Sequence, residues 1–322
     1  MERRALVLMA WLLVACGGAA PPPARVRPNG PAMSYLHLPH AFLLRVDCAA
    51  IRVTPIAGDV DTLWRASPLF DRLASSSSFD PIRDLDVMVT TTSTVVGWSG
   101  GPAAPRWRVV MRHHQDLAGA RALLGTMASA RGEAVVWREG QGLPSAILPG
   151  EISYQTPHAV ALTALHEAVV APDDELGTIL TVARDQASRR EADADVIEPG
   201  LLSSPGELVH AETTSPPPVL ANLGASAARA SVVRAGQGTA IHLELDFPSA
   251  TLAQAVAVQA RAQLAMLGAN ALVASMGLAR PLLDAQVSVQ GSTTKLDTTA
   301  TFDELASALQ ALAMVSAGST TY

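Results

Sequence analysis

The chain has 322 residues, a formal net charge of −6 at pH 7 and an apolar fraction of 49%. That length accommodates one large or two modest domains, with a core built mainly from Ala, Leu and Val because aromatics make up only 4%. An acidic balance with a single lysine, Lys295, and no basic run argues against a nucleic-acid partner, since such affinity rests on neutralising phosphates.

The amino terminus carries Glu2, Arg3 and Arg4, then an unbroken apolar run from Ala5 to Ala15. A membrane-spanning helix needs roughly 20 apolar residues, so this run is too short to span and reads as a secretory signal. Its last residues, Leu13-Val14-Ala15-Cys16, resemble the lipobox of bacterial lipoproteins. The resemblance implies that the Cys16 thiol is acylated and the chain cut just before it. Residues 1–15 are then a signal peptide, and 16–32, rich in Gly, Ala and Pro, a lipidated tether too poor in periodic apolar residues to fold. The implied partner is a membrane reached through the lipid, and the implied location is the bacterial cell envelope. Gly17 stands where an aspartate would resemble the inner-membrane retention signal of enteric bacteria, so the outer membrane is expected. With Cys16 acylated, Cys48 has no partner within the chain. Its apolar, strand-like setting, "AFLLRVDCAAIRV", predicts a small buried hydrophobe.

Beyond the tether, an opening helix is expected at "SPLFDRLASS", with Pro68 at its first position. One arrangement then recurs four times. An alternating, strand-like run leads to a short polar cap and an Ala/Leu-rich helix, with helix starts near residues 116, 174, 250 and 303. Further alternating runs precede the strands around Trp107 and Leu296, separated from them by Gly-containing turns, so the repeated unit reads as hairpin plus helix. Residues 191–225, acidic early and Pro-rich late, predict a linker. The expected fold class is α+β: two lobes, 33–190 and 226–322, each an antiparallel sheet with helices packed on one face. A continuous sheet shared by both lobes is the alternative.

Few motifs carry chemistry. Gly97-Trp98-Ser99-Gly100-Gly101 matches the G-x-S-x-G nucleophile elbow, but "GPAAP" follows where that elbow needs a helix. Ser292-Thr293-Thr294-Lys295 matches S-x-x-K, which resembles the penicillin-binding and class A β-lactamase motif, without the accompanying S-D-N and K-T-G elements. His113 and His114 are adjacent on a strand and point to opposite faces, and His166-Glu167 lacks the second histidine of H-E-x-x-H, so no metal or cofactor is expected. Asp80, Asp84 and Asp86 lack the spacing of a calcium loop; the first two read as turn or cap residues. Strand alternation puts Arg106, Arg108, Arg112 and His114 on one face, a candidate surface for an anion, an acidic ligand or an acidic envelope protein.

No catalytic constellation is evident, so the expected function is a non-enzymatic, membrane-anchored envelope lipoprotein that binds or scaffolds. Two alternatives stand beside it. One is an envelope hydrolase using Ser99 or a composite His/Asp site; the other is a carrier of an apolar ligand held between helices and sheet.

Overall fold

The computed structural model describes residues 41–66, 79–92, 106–129, 134–138, 144–147, 158–164, 166–189 and 206–318. The signal peptide, the tether, the expected helix at Pro68 and the Ser99 motif lie outside them. Twelve strands form one antiparallel sheet: β1 (Phe42–Asp47), β2 (Leu85–Thr92), β3 (Trp107–His113), β4 (Trp137–Arg138), β5 (Ser145–Ile147), β6 (His158–Ala164), β7 (Glu167–Pro172), β8 (Glu207–Thr213), β9 (Ala227–Ala235), β10 (Gly238–Asp246), β11 (Gln286–Gln290) and β12 (Thr293–Thr301). Their order is β11-β12-β10-β9-β8-β1-β2-β3-β7-β6-β5-β4.

That order contains the same arrangement twice. The first half reads β1-β2-β3-β7-β6 and the second β8-β9-β10-β12-β11, so in each half a leading strand is followed by two hairpins whose second strands lie side by side. The halves meet where β1 and β8 pair antiparallel, from Phe42 opposite Thr213 to Val46 opposite Val209. The sheet is therefore continuous. β8, with Leu208 and Ala211 buried, occupies its middle and corrects the reading of 191–225 as linker throughout. The neighbouring acidic and proline residues obscured the strand pattern of "ELVHAET".

Each hairpin is followed by a helix: α4 (Leu117–Ser129) after β2–β3, α5 (Asp173–Arg189) after β6–β7, α7 (Ala250–Gly268) after β9–β10 and α10 (Phe302–Gly318) after β11–β12. Short side chains fix these starts. Asp116 accepts from the Gly119 amide at 2.7 Å and Ser249 from the Leu252 amide at 3.2 Å. At α10 the cap is Thr301, two residues before the expected start near 303. Thr301 Oγ1 accepts from the Glu304 amide, and Glu304 Oε2 accepts from the Thr301 amide, a reciprocal capping box.

We call the sheet surface bearing Arg45 the front. α7 and α10 cover the back of the second half, where Ile241, Leu243, Leu245, Leu296 and Ala300 pack against Ala253, Val256, Leu264 and Leu305. α4 covers the back of the first half over Val160, Leu162 and Val170. Between them lie the short helices α1 (Cys48–Arg52), α2 (Ala57–Arg65) and α3 (Pro81–Asp84), whose Ile51, Val60 and Ile82 pack with Val46 and Leu208. α6 (Pro218–Ala221), α8 (Ala271–Ser275) and α9 (Ala279–Leu283) complete the helices of the described residues. α5 departs from the expected single helical layer: its Leu176 and Leu180 pack on Ala159 and Ala161 at the front. β7 is buried along its whole length, so both of its faces require cover.

Cys48 opens α1 instead of lying in a strand. Asp47 accepts from the Ala50 amide and starts the helix, and the fully buried thiol is pushed up to about 12 by desolvation.

Candidate functional site

Antiparallel pairing places directly opposed residues on one face, so the register lines up front-face side chains from distant parts of the chain. One row runs Arg45, His210, Ser231, His242, Asp297, Gln286 across six strands, and the next runs Glu212, Arg229, Glu244, Lys295, Ser288. In the second half this face is polar, whereas the back of the same strands is apolar and helix-covered. Charges alternate along and between the rows. Arg229 pairs with Glu244 at 3.1 Å and with Asp246 at 3.0 Å, and Lys295 Nζ lies 2.7 Å from Glu244.

Where the halves meet, the polar row sinks into the protein. Arg45 donates to Glu207, both side chains buried, and Glu207 also holds the His210 Nδ1 at 3.0 Å. Burial is the largest influence on His210 and pushes its pKa down. The hydrogen bond to Glu207, the Glu207 charge and the Glu212 carboxylate 3.7 Å from Nε2 outweigh it, leaving the imidazole more basic than usual.

His242 Nδ1 is hydrogen-bonded to Asp297, with Ser231 opposite His242 on the other flank. A carboxylate that orients an imidazole beside a serine is the composition of a hydrolytic triad. Acyl transfer also needs donors aimed at the developing oxyanion, and β9 and β10 are each paired on both sides, so their amides serve the sheet ladders. Burial further lowers the His242 pKa. The row lacks the preorganised half of that chemistry.

Of the four side chains expected to form an anion-binding stripe, the register places Arg108 and Arg112 on the front face, and each of the four has an acidic partner within the chain. Arg106 contacts Asp174 at 2.6 Å and Glu175 at 3.0 Å; Arg108 contacts Glu175 at 2.6 Å. Arg112 lies 3.8 Å from Glu167, and His114 Nε2 lies 2.6 Å from Asp86. Arg106 and Arg108 therefore clamp the first turn of α5, where carboxylates also suit the helix dipole, while Arg112 and His114 pair within the sheet.

Asp80 caps α3 by accepting from the Ile82 and Arg83 amides, as its spacing predicts. Ser292 lies in the β11–β12 turn beside Gly291 (φ +60°), far from the helix start that an S-x-x-K nucleophile occupies. His113 is buried while His114 is exposed, so the adjacent pair does face opposite ways. Among the described residues, no three His, Cys, Asp or Glu side chains converge as a metal site, and no helix is long and apolar enough to cross a membrane.

Sequence reasoning did not single out Arg45, Glu207, His210, His242 or Asp297. Alternation in "TAIHLELDF" and "TTKLDTTATF" does put His242 with Glu244 and Lys295 with Asp297. Which strands adjoin is long-range information that alternation does not carry.

No known family model matches the chain, and no curated protein matches it. Solved structures of TP0453 are similar in fold. Crystal form III aligns with a TM-score of 0.50 at 10% identity, covering 91% of this chain and 100% of that one. Crystal form I gives 0.49 at 12%, covering 90% and 99%. At this identity the likeness to form III is one of α+β fold alone.

Proposed function

We propose that the chain is a lipid-anchored protein of the bacterial cell envelope whose folded body binds or scaffolds. The observation that carries this reading is Leu13-Val14-Ala15-Cys16, placed at the end of a short apolar run behind two arginines and ahead of a Gly/Ala/Pro stretch. Multiple acyl chains on one cysteine hold a soluble body firmly, because each buried CH2 adds about 0.8 kcal/mol. The front of β8–β12 supplies a broad polar surface for an envelope protein, its alternating charges fixing register more than affinity. The carrier reading is weakened by the side chains that fill the space between α7, α10 and the sheet.

Radiolabelled palmitate fed to the native host tests the anchor. The wild-type chain takes up label and sediments with membranes, in the outer-membrane fraction of a density gradient. Cys16→Ala takes up none and stays soluble. An unlabelled wild-type product that retains its leader overturns the proposal. A photo-crosslinker at Ser288 then forms adducts that one at Val258, on the exposed side of α7, does not.

One observation favours hydrolysis as a second reading, the Ser231–His242–Asp297 row. Turnover of a panel of esters that falls in both Ser231→Ala and His242→Gln supports it; unchanged turnover removes it.

A further inference from the structure

At one end of the sheet two imidazoles face each other across adjacent strands. His113 closes β3, and its amide donates to the carbonyl of His166, in the turn before β7, at 2.9 Å. Their ring centroids are 6.3 Å apart with planes at 75°. His113 is 8% exposed, and both its ring nitrogens are buried without a hydrogen-bond partner. Buried polar groups are almost always partnered, so this one requires an explanation.

His166 is prepared in a complementary way. Its Nδ1 lies 2.9 Å from the Gln115 carbonyl, which can only accept, so Nδ1 carries a proton and Nε2 is the nitrogen left to meet a ligand. A backbone carbonyl that fixes the tautomer and orientation of a histidine is the usual outer support of a ligating imidazole.

The spacing selects the ion. With metal–nitrogen bonds of about 2 Å, two imidazole centroids stand about 5 Å apart across a tetrahedral ion and about 6.4 Å apart across a linear one. The observed 6.3 Å fits the linear case. Zinc in addition wants a third and fourth donor of a kind that does not converge among the described residues. Met111 lies two residues before His113 on β3 and presents a soft thioether on the same face. His114 points the other way, held by Asp86, and takes no part.

We propose that His113 and His166 bind one monovalent soft cation, copper(I) or silver(I), in near-linear two-imidazole coordination, with Met111 beside it. Binding changes no oxidation state. The inference is independent of the lipid anchor.

Silver(I) nitrate, a redox-inert probe, is titrated calorimetrically into the full mature chain, acylated at Cys16, in chloride-free detergent buffer. The wild type takes up one tight equivalent. Affinity falls about 100-fold or more in His113→Leu and in His166→Ala, on the scale of losing a metal-site determinant. It is kept in Cys48→Ala, in His242→Gln and in the double variant His37→Ala/His40→Ala, and zinc shows no comparable binding. Histidine ring nitrogen resonances of the wild-type chain give a readout independent of variant folding: those of His113 and His166 shift on adding silver. Retained affinity in His113→Leu, loss in Cys48→Ala, equal affinity for zinc, or unshifted ring resonances each overturns the site.

Discussion

Arg45 and Glu207, 162 positions apart in the chain, form an ion pair that is 2% and 6% exposed at the junction of the two halves. Two charges in that setting hold only because each compensates the other. Arg45→Met should therefore cost about 3 kcal/mol, since it leaves the buried Glu207 carboxylate without its arginine and with His210 as its remaining charge partner. Arg45→Met combined with Glu207→Gln should recover much of that loss, because Gln still offers His210 an acceptor and leaves no charge behind. Urea denaturation of the three variants measures this. Equal midpoints for the single variant and the wild type would show that the pair is not desolvated.

The same junction makes stability depend on pH through His210. Its folded pKa lies above the ordinary 6.5 because Glu207 and Glu212 outweigh burial. Folding therefore favours the protonated ring. The contribution is complete below the unfolded pKa and disappears as pH rises through the folded one. His113 and His242 have the opposite sign: burial lowers their pKa values, so their contribution is complete above 6.5 and lost as pH falls through the folded values. The stability gap between wild type and His210→Gln should be widest near about pH 5.5 and narrow by about pH 8.5. Denaturant midpoints across that range decide it; a gap that widens with pH would mean the carboxylates do not govern the ring.

Local signals in the sequence were strong enough to place the repeated units. Helix starts expected near 116, 174, 250 and 303 occur at Leu117, Asp173, Ala250 and Phe302, because alternation, a cap and a 3.6-residue period coincide at each. The α+β class follows from those units. The joining of the halves was hidden, since β8 is a seven-residue strand among acidic and proline residues, and its pairing with β1 spans more than 160 positions. For the same reason the front-face rows were legible only as fragments. "TAIHLELDF" gives the side of His242 but not its neighbour Asp297, which a separate hairpin supplies.

Two glycines on the same β-structure separate lack of space from backbone strain. Gly238, at the start of β10, faces the β12 backbone so closely that an added Cβ would overlap the Ala300 carbonyl oxygen and lie 3.0 Å from the Thr301 Cα. Gly291 has open space around it but a φ of +60°, which side-chain-bearing residues rarely adopt. Gly291→Ala should cost about 1–2 kcal/mol from conformation alone. Gly238→Ala should cost about 1–3 kcal/mol from overpacking and also loosen the β10–β12 pairing. Amide hydrogen exchange tells them apart: protection around Thr299 to Thr301 falls in Gly238→Ala and is kept in Gly291→Ala.

The arginine stripe yields a contrast between neighbours on one strand face. Arg106 is 37% exposed and its partner Asp174 67%, whereas Arg108 and Glu175 are 7% and 19% exposed. Solvent screens the first pair, so Arg106→Ala should change stability by about 0–1 kcal/mol. Arg108→Ala removes a nearly buried cation and leaves Glu175 with Arg106 alone, so it should cost more, about 1.5–3 kcal/mol, through loosening α5 from the sheet. If the stripe instead met an external anion, the exposed Arg106 would be the residue that mattered and sulfate would stabilise the wild type specifically. Thermal unfolding of both variants with and without sulfate separates these cases: a larger Arg108 effect insensitive to sulfate assigns Arg108 to holding α5, and a sulfate-dependent gain lost in Arg106→Ala returns the stripe to ligand binding.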